Sequence, residues 1–338
     1  MTLHRTLEDL VGPRSGVLCA FRFARDGRGQ ACDAAEFAGA ETDAGSAGWT
    51  WSHLALGDLR SKLLLDKVAG LPADARALFI QRETRVNFEQ ADGWVFGVLP
   101  DLERDLAGRP QGEGRLVFAM DERRLITGRL HALRAVDDLR REVDLGGAFE
   151  SPAAALARIV EHYVDRLEQM FEDTGAQLAQ VEDYVLTEPS DLADTGLTPI
   201  RRSLSRYRRE VQALRGALMR AYAGRGSRRV AMLAEWLPEL TAAADDLDRE
   251  AGGLQDRARL LHEEIDTLIN SATNRAMRTL TVISTLLIPP TLITGAWGMN
   301  VGGVPFSHSE SGFVVVALLC IVIVAGLLWM LRRLGMWS

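Results

Sequence analysis

The chain has 338 residues, a formal net charge of -7 and a hydrophobic fraction of 47%. That length is enough for a sizeable core and about two domains, and the acidic balance argues against a nucleic-acid partner. Three cysteines, Cys19, Cys32 and Cys320, form no CxxC pair; neither a disulfide framework nor a thiolate zinc site is suggested, and a reducing compartment fits.

Met1 to Gly12 is polar and has no apolar h-region, so no signal peptide is expected and the large first part should stay on the side where it is made. Residues 1–150 read as an α/β domain. Strands are expected at Val17 to Phe23 and Trp49 to Leu56. Arg85 to Phe88 and Trp94 to Leu99 flank the turn signal Ala91-Asp92-Gly93, and Arg115 to Ala119 and Arg124 to Thr127 flank Asp121-Glu122 as a hairpin. Short helices are expected at Leu59 to Val68 and Val136 to Asp144.

The texture changes at Ser151-Pro152, a good N-cap followed by a proline tolerated at the first helical position. A long helix should run from there to about Thr187-Glu188-Pro189, and a second from Thr198-Pro199 to about Ala223, where Gly224-Arg225-Gly226 breaks it. From Val230 a heptad of apolar residues follows: Val230, Leu233, Leu237, Leu240, Ala244, Leu247, Ala251, Leu254, Ala258, Leu261, Ile265, Leu268 and Ala272. Such an a/d seam outlasts an ordinary globular helix. Pro238 would bend it near its start and Gly252-Gly253 would weaken it locally. No breaker separates the seam from the apolar run after Arg278, so one stalk from about Val230 to Trp297 is expected, on the order of 100 Å long. The long helices and stalk occupy residues 151–278.

From Thr279 to Leu331 the single charged residue is Glu310. Residues 279–297 and 313–331 are two spans near the ~20 residues a bilayer needs, separated by a loop at 298–312. Residues 279–338 are thus a transmembrane domain. Arg275 and Arg278 precede the first span, Arg332 and Arg333 follow the second, and Asn300 to Gly312 has no Lys or Arg. The positive-inside rule then puts both termini in the cytoplasm and the loop outside. A buried core helix is the competing account of such runs, and their length and basic flanks argue against it.

Opposite the a/d seam, about 160° away, lie Asp256, Leu260, Glu263, Thr267, Asn270, Asn274, Met277, Thr281, Ser284, Ile288, Thr291 and Gly295. This mostly polar stripe continues into the first span. It could line a pore, with oxygens replacing part of a cation's hydration shell and Met277 and Ile288 as apolar constrictions. It could equally be hydrogen-bonding glue between helices. Two spans cannot enclose a pore alone, so a pore needs a ring of subunits.

The first span ends Pro289-Pro290-Thr291-Leu292-Ile293-Thr294-Gly295-Ala296-Trp297-Gly298-Met299-Asn300. A Gly-Met-Asn tripeptide at this place, before a short loop and a last helix, resembles the CorA superfamily of divalent-cation transporters. Asn274, Met277, Leu280-Thr281-Val282 and Ser284 fit the same pattern. Where magnesium-type members follow with an aromatic and Met-Pro-Glu-Leu, this chain has Val301-Gly302-Gly303-Val304-Pro305-Phe306, which resembles the ZntB zinc-transporter branch; so do Thr127-Gly128-Arg129 and Ala135-Val136-Asp137-Asp138-Leu139. The resemblance implies a funnel-shaped homopentamer whose stalk helices line the pore. It also implies Zn²⁺ movement in the bacterial inner membrane, in the uptake direction and coupled to protons. By the same likeness Asn300 would meet the hydrated ion at the outer mouth with Gly298 and Met299 beside it, and Thr291, Ile288, Leu280, Met277 and Asn274 would occupy pore positions.

His308 and Glu310 in the loop offer imidazole and carboxylate, which Zn²⁺ accepts; an ordinary polar loop reads the same way. Asp256 and Glu263 belong to an acidic stretch that could hold ions or be a solvated helix face. The basic run Arg201, Arg202, Arg206, Arg208, Arg209 is expected to pair with acidic helices. No P-loop, no GxGxxG after a strand and no Ser/His/Asp signature occurs, so neither an enzyme nor an ATP-driven pump is expected, and no cofactor beyond the transported metal. A magnesium or cobalt channel of the same fold and a non-conducting, membrane-tethered coiled-coil scaffold are the alternatives.

Overall fold

A computed structural model describes residues 16–32, 48–81, 85–104, 110–187, 196–223, 233–299 and 311–333. The chain divides into two compact units, Met1–Val181 with Gly196–Arg259, and Glu182–Thr195 with Leu260–Ser338.

The first unit holds a sheet of β1 (Val17–Phe23), β2 (Gly29–Ala31), β3 (Trp49–Ala55), β4 (Asn87–Ala91), β5 (Trp94–Arg104), β6 (Pro110–Met120) and β7 (Arg124–Arg129). Their order is β2-β1-β3-β7-β6-β5-β4. β3 and β7 run parallel and the other neighbours antiparallel. The expected hairpins form where turn chemistry demands. Asp92 and Gly93 both take positive φ, as a two-residue β4–β5 turn requires. Between β6 and β7 the Asp121 carboxylate accepts from the backbone N–H of Arg123 and Arg124.

One sheet face packs Leu54, Phe96, Val98, Val117 and Ile126 against Leu65, Ala75 and Phe79 of two short helices, α1 (Leu59–Asp66) and α2 (Ala73–Gln81). Asp58 starts α1 by accepting from the Arg60 N–H at 2.9 Å. β2 and α2 have no counterpart in the sequence expectations. The other face carries Trp51, His53 and Thr127. Thr127 Oγ1 accepts from Trp51 Nε1 at 2.9 Å and lies 2.8 Å from His53 Nδ1. Burial, reinforced by the Arg129 and Arg140 charges, lowers His53 to about 3. Helix α3 (Arg134–Asp144) begins without a side-chain cap of its own. Asp101 of β5 supplies one, accepting from the N–H groups of Ala135 at 3.0 Å and Val136 at 3.5 Å. Burial pushes this carboxyl up to about 7 against the pull of its backbone donors.

Two long helices follow, α4 (Pro152–Thr187) and α5 (Leu197–Ala223). Ser151 Oγ accepts from the Ala154 N–H at 3.1 Å, the cap that the sequence announces. Helix α6 (Leu237–Gly298) is unbroken over 62 residues, and α7 (Gly312–Arg333) over 22. The stalk helix does not extend back to Leu233: Leu233–Trp236 is a turn, and Val230 lies outside the described residues. Pro238 therefore sits in the first turn, where its missing N–H costs nothing, and bends no helix. Leu233 is buried all the same, which is why the apolar period overran the helix start.

Of the basic run on α5, Arg208 pairs with an acidic helix as expected, reaching Asp248 at 3.2 Å and also Gln255 at 2.6 Å, whereas Arg206 lies over the Tyr207 ring. Arg215, outside that run, pairs with Asp245. Glu250, by contrast, is raised by burial and by the nearby Glu168 and Glu172 of α4.

Candidate ion-permeation site

The site rests on which face of α6 is covered. Leu237, Leu240, Ala244, Leu247, Ala251, Ala258, Leu261 and Ile265 are buried, so the a/d seam is the packing face. The same period resumes in the apolar part: Val282 is buried, and Leu286, Pro289, Ile293 and Trp297 are half-covered. At ~100° per residue these positions lie about 120–180° from the centre of Met277, Thr281, Ser284, Ile288, Thr291 and Gly295.

That opposite stripe is open. Asn270, Asn274, Met277, Thr281, Ile288, Thr291 and Gly295 are exposed, as are Leu280, Gly298 and Met299; Ser284 is half-covered. Met277 is 63% and Ile288 62% exposed, large for apolar side chains without a further partner. Leu280 stands at the edge of the stripe, about 60° from its centre.

The stripe hydroxyls have a shared orientation. Thr267, Thr281 and Thr291 each donate to the carbonyl four residues back, on Glu263, Met277 and Leu287, at 2.8, 2.9 and 2.8 Å. Each hydroxyl proton is thereby committed to the helix, and the oxygen lone pairs are left to accept. An edge of acceptor-only oxygens suits a cation or the hydrogens of its water shell.

The other residues singled out from sequence are not brought together. Asp256 and Glu263 are exposed on α6, and among the described residues no three His, Cys, Asp or Glu side chains are grouped as a metal site would need. Asn300, His308 and Glu310 lie outside the described residues. Both α6 and α7 contain a stretch long and apolar enough to cross a membrane, and only 6% of each stretch is buried. A soluble core helix would be mostly buried.

Residues 46–333 match the family model described as CorA-like Mg²⁺ transporter protein. The chain belongs to that family. It is accordingly a divalent-cation transporter, of a family of transporters and not a class of enzymes. Among its relatives, the "Zinc transport protein ZntB" of Pectobacterium carotovorum is 24% identical over 290 residues, covering 84% of this chain and 86% of the relative. The "Divalent cation transporter CmaX" of Pseudomonas aeruginosa is 26% identical over 286 residues, with the same coverage, 84% and 86%. The solved full-length CmaX structure has a TM-score of 0.79 at 24% identity, covering 96% of this chain and 99% of that one. The fold with a sheet-bearing unit, long helices and two apolar C-terminal helices is thus that of CorA-like transporters.

Proposed function

We propose that this CorA-like protein moves divalent cations, Zn²⁺ in preference to Mg²⁺, inward across the bacterial inner membrane, with both termini cytoplasmic. Five copies arrange α6 around a common axis, each turning its open stripe inward. The observation that carries this reading is the acceptor-only edge through Thr281 and Thr291, exposed and opposite the covered face of the same helix. Rings of Thr281, Ser284 and Thr291 oxygens stabilise a partly hydrated cation, while Met277, Leu280 and Ile288 narrow the path and exclude water when closed. Asn274 stands at the inner end, and Gly298, Met299 and Asn300 at the outer mouth.

Zinc preference is supported by the ZntB relative and by the loop itself. Val301-Gly302-Gly303-Val304-Pro305 carries no acid to draw in a hard cation, whereas His308 and Glu310 offer donors Zn²⁺ accepts. Asp256 and Glu263 raise the local cation concentration at the cytoplasmic end. Between Asp266 and His308 the sequence contains no Asp, Glu or His. Coupling to protons therefore has His308 and Glu310 to work with and no carboxylate relay along the stripe from Thr267 to Gly295.

Purified protein in liposomes, with Zn²⁺ or Mg²⁺ outside and an indicator within, tests the proposal. Faster Zn²⁺ entry is the expected result, and a pH gradient tests coupling. A Mg²⁺ preference would favour the second reading, a magnesium channel, to which the description of the family model points. No flux of either metal would overturn both.

A further inference from the structure

The a/d seam of α6 is apolar at every position from Leu237 to Ala272, and the next position in the heptad is Arg275. Arg278 follows one turn later, immediately before the apolar stretch. At ~100° per residue Arg275 falls in line with Val282 and Ile293, away from Thr281, Ile288 and Thr291, and Arg278 stands on the flank, about 40° from Val282 and 60° from Thr281. Both are exposed, although Arg275 stands on the face that is buried above and partly covered below. At the end of α7, Arg332 and Arg333 are also exposed, and Arg333 lies over the Trp329 ring at 5.4 Å.

These four cations have no anionic counterpart within reach of their own sequence. After Asp266 the chain carries one acidic residue, Glu310, in the loop between α6 and α7. None of the four arginines makes an ion pair among the described residues. The contrast with Arg208 and Arg215, both matched to carboxylates, is sharp. An arginine at an apolar seam position, unpaired and next to a bilayer-length stretch, is placed for a partner outside the chain. The guanidinium fork matches phosphate in a bidentate fashion, and a tryptophan beneath it belongs at headgroup depth.

We infer that Arg275 and Arg278, with Arg332 and Arg333, form a binding belt for the phosphate of anionic phospholipids in the inner leaflet, and that the Arg275 contact fixes the rotation of the pore helix. The second half follows from spacing. Arg275 stands about 160° round the helix from Met277, and Arg278 about 100°. Anchoring Arg275 to a headgroup turns Met277 and Thr281, about 160° and 120° round the helix from it, away from lipid. The inference rests on the transport reading for its orientation, but lipid binding can be measured without transport.

The test uses full-length protein in neutral detergent, with dioleoyl-phosphatidylglycerol or dioleoyl-phosphatidylcholine added and retained lipid counted by native mass spectrometry. Phosphatidylglycerol should be retained and should raise the melting temperature, and phosphatidylcholine should do neither. Each arginine contributes about fivefold to attraction by an anionic lipid surface. The double variant R275Q/R278Q should then lose retention about 25-fold, as should R332Q/R333Q, while R275K/R278K, which keeps the charge, should hold most of it and controls for misfolding. Equal retention of both lipids, retention unchanged in the glutamine variants, or equal protection by inorganic phosphate at the same concentration would overturn the inference. In vesicles, wild-type flux should rise when phosphatidylglycerol is included. Flux absent from every vesicle while lipid retention follows the pattern above removes the transport reading and leaves the lipid belt standing.

Discussion

The two units treat their surfaces in opposite ways. In the first, large apolar side chains are enclosed, with Trp51, Phe23, Phe79, Phe96 and Phe118 fully buried, and Arg115, Arg208 and Arg215 are matched to carboxylates of the chain. In the second, Leu280, Leu287, Ile288, Leu292, Ile321 and Val322 are exposed, and the arginines at the ends of the apolar stretches are unmatched among the described residues. A soluble protein would not leave such an apolar surface open. The first unit is completed by its own sequence. On the proposed reading the second is completed by lipid and by further copies of itself. One helix, α6, serves both, and its seam is the thread: filled by Leu and Ala where the chain supplies the partner, interrupted by Arg275 where it stops doing so.

The largest expected effect tests self-sufficiency. Trp51→Ala removes a fully buried ring and the donor to Thr127, and should cost about 3–5 kcal/mol. Ile288→Ala, in the open stripe, should leave the melting temperature in detergent within a degree or two, roughly what less than 1 kcal/mol allows. Comparable losses from both would mean that the stripe is packed, and the contrast between the units would collapse.

Titration sharpens the comparison, because the first unit encloses two groups with opposite pH dependence. Asp101 titrates in the folded protein at about 7 against an ordinary 3.8. Between those values the folded protein holds a proton that the unfolded chain has released, so stability falls as pH rises, by up to about 1.4 kcal/mol per unit. His53 titrates at about 3 against an ordinary 6.5. Over that window the unfolded chain takes a proton the folded one refuses, so stability rises with pH. From about pH 4 to 6.5 the two slopes oppose each other. Asp101→Asn, which keeps a good helix cap, should uncover the rising slope, and His53→Gln the falling one. Thermal unfolding of each variant between pH 4 and 7 checks this; parallel profiles in the two would refute the assignment.

Much of this was legible in the sequence, for identifiable reasons. Asp92-Gly93 and Asp121-Glu122 announce their hairpins through turn chemistry, and Ser151-Pro152 announces α4. β2 was not legible because Gly29–Ala31 is three residues with no apolar alternation. α2 was not because Ala73–Gln81 buries little beyond Ala75 and Phe79. The start of α6 was misplaced because apolar period reports burial, and Leu233 is buried without being helical. The polar stripe was visible from its spacing, but its hydroxyl orientation was not: only the backbone carbonyls of Met277 and Leu287 reveal which way the protons point. Asp101 as the cap of α3 joins residues more than thirty positions apart, and no local pattern encodes it.

Within the second unit, Thr291→Val tests the stripe with little change of shape. The variant keeps the volume and loses the hydroxyl oxygen whose proton is donated to the Leu287 carbonyl and whose lone pairs face the open side. Zn²⁺ flux should fall about tenfold, equivalent to ~1.4 kcal/mol of lost cation stabilisation, with the melting temperature nearly unchanged. Unaltered flux would assign this hydroxyl to helix packing.

The smallest effect returns to where the first unit closes on α6. Gly252 and Gly253 sit mid-helix, where glycine costs about 0.5–1 kcal/mol relative to alanine. A Cβ at Gly253 meets nothing within 4 Å, so Gly253→Ala should recover that amount and raise the melting temperature slightly. A Cβ at Gly252 falls 3.3 Å from an Nη atom and 3.6 Å from the Cζ of Arg208, the guanidinium held by Asp248 and Gln255. Gly252→Ala must push that group off its partners or forgo part of the helix gain, so it should stabilise less than its neighbour or not at all. Equal stabilisation by both would show that Arg208 moves aside freely, and that the matched charges of the first unit hold α6 less firmly than their geometry implies.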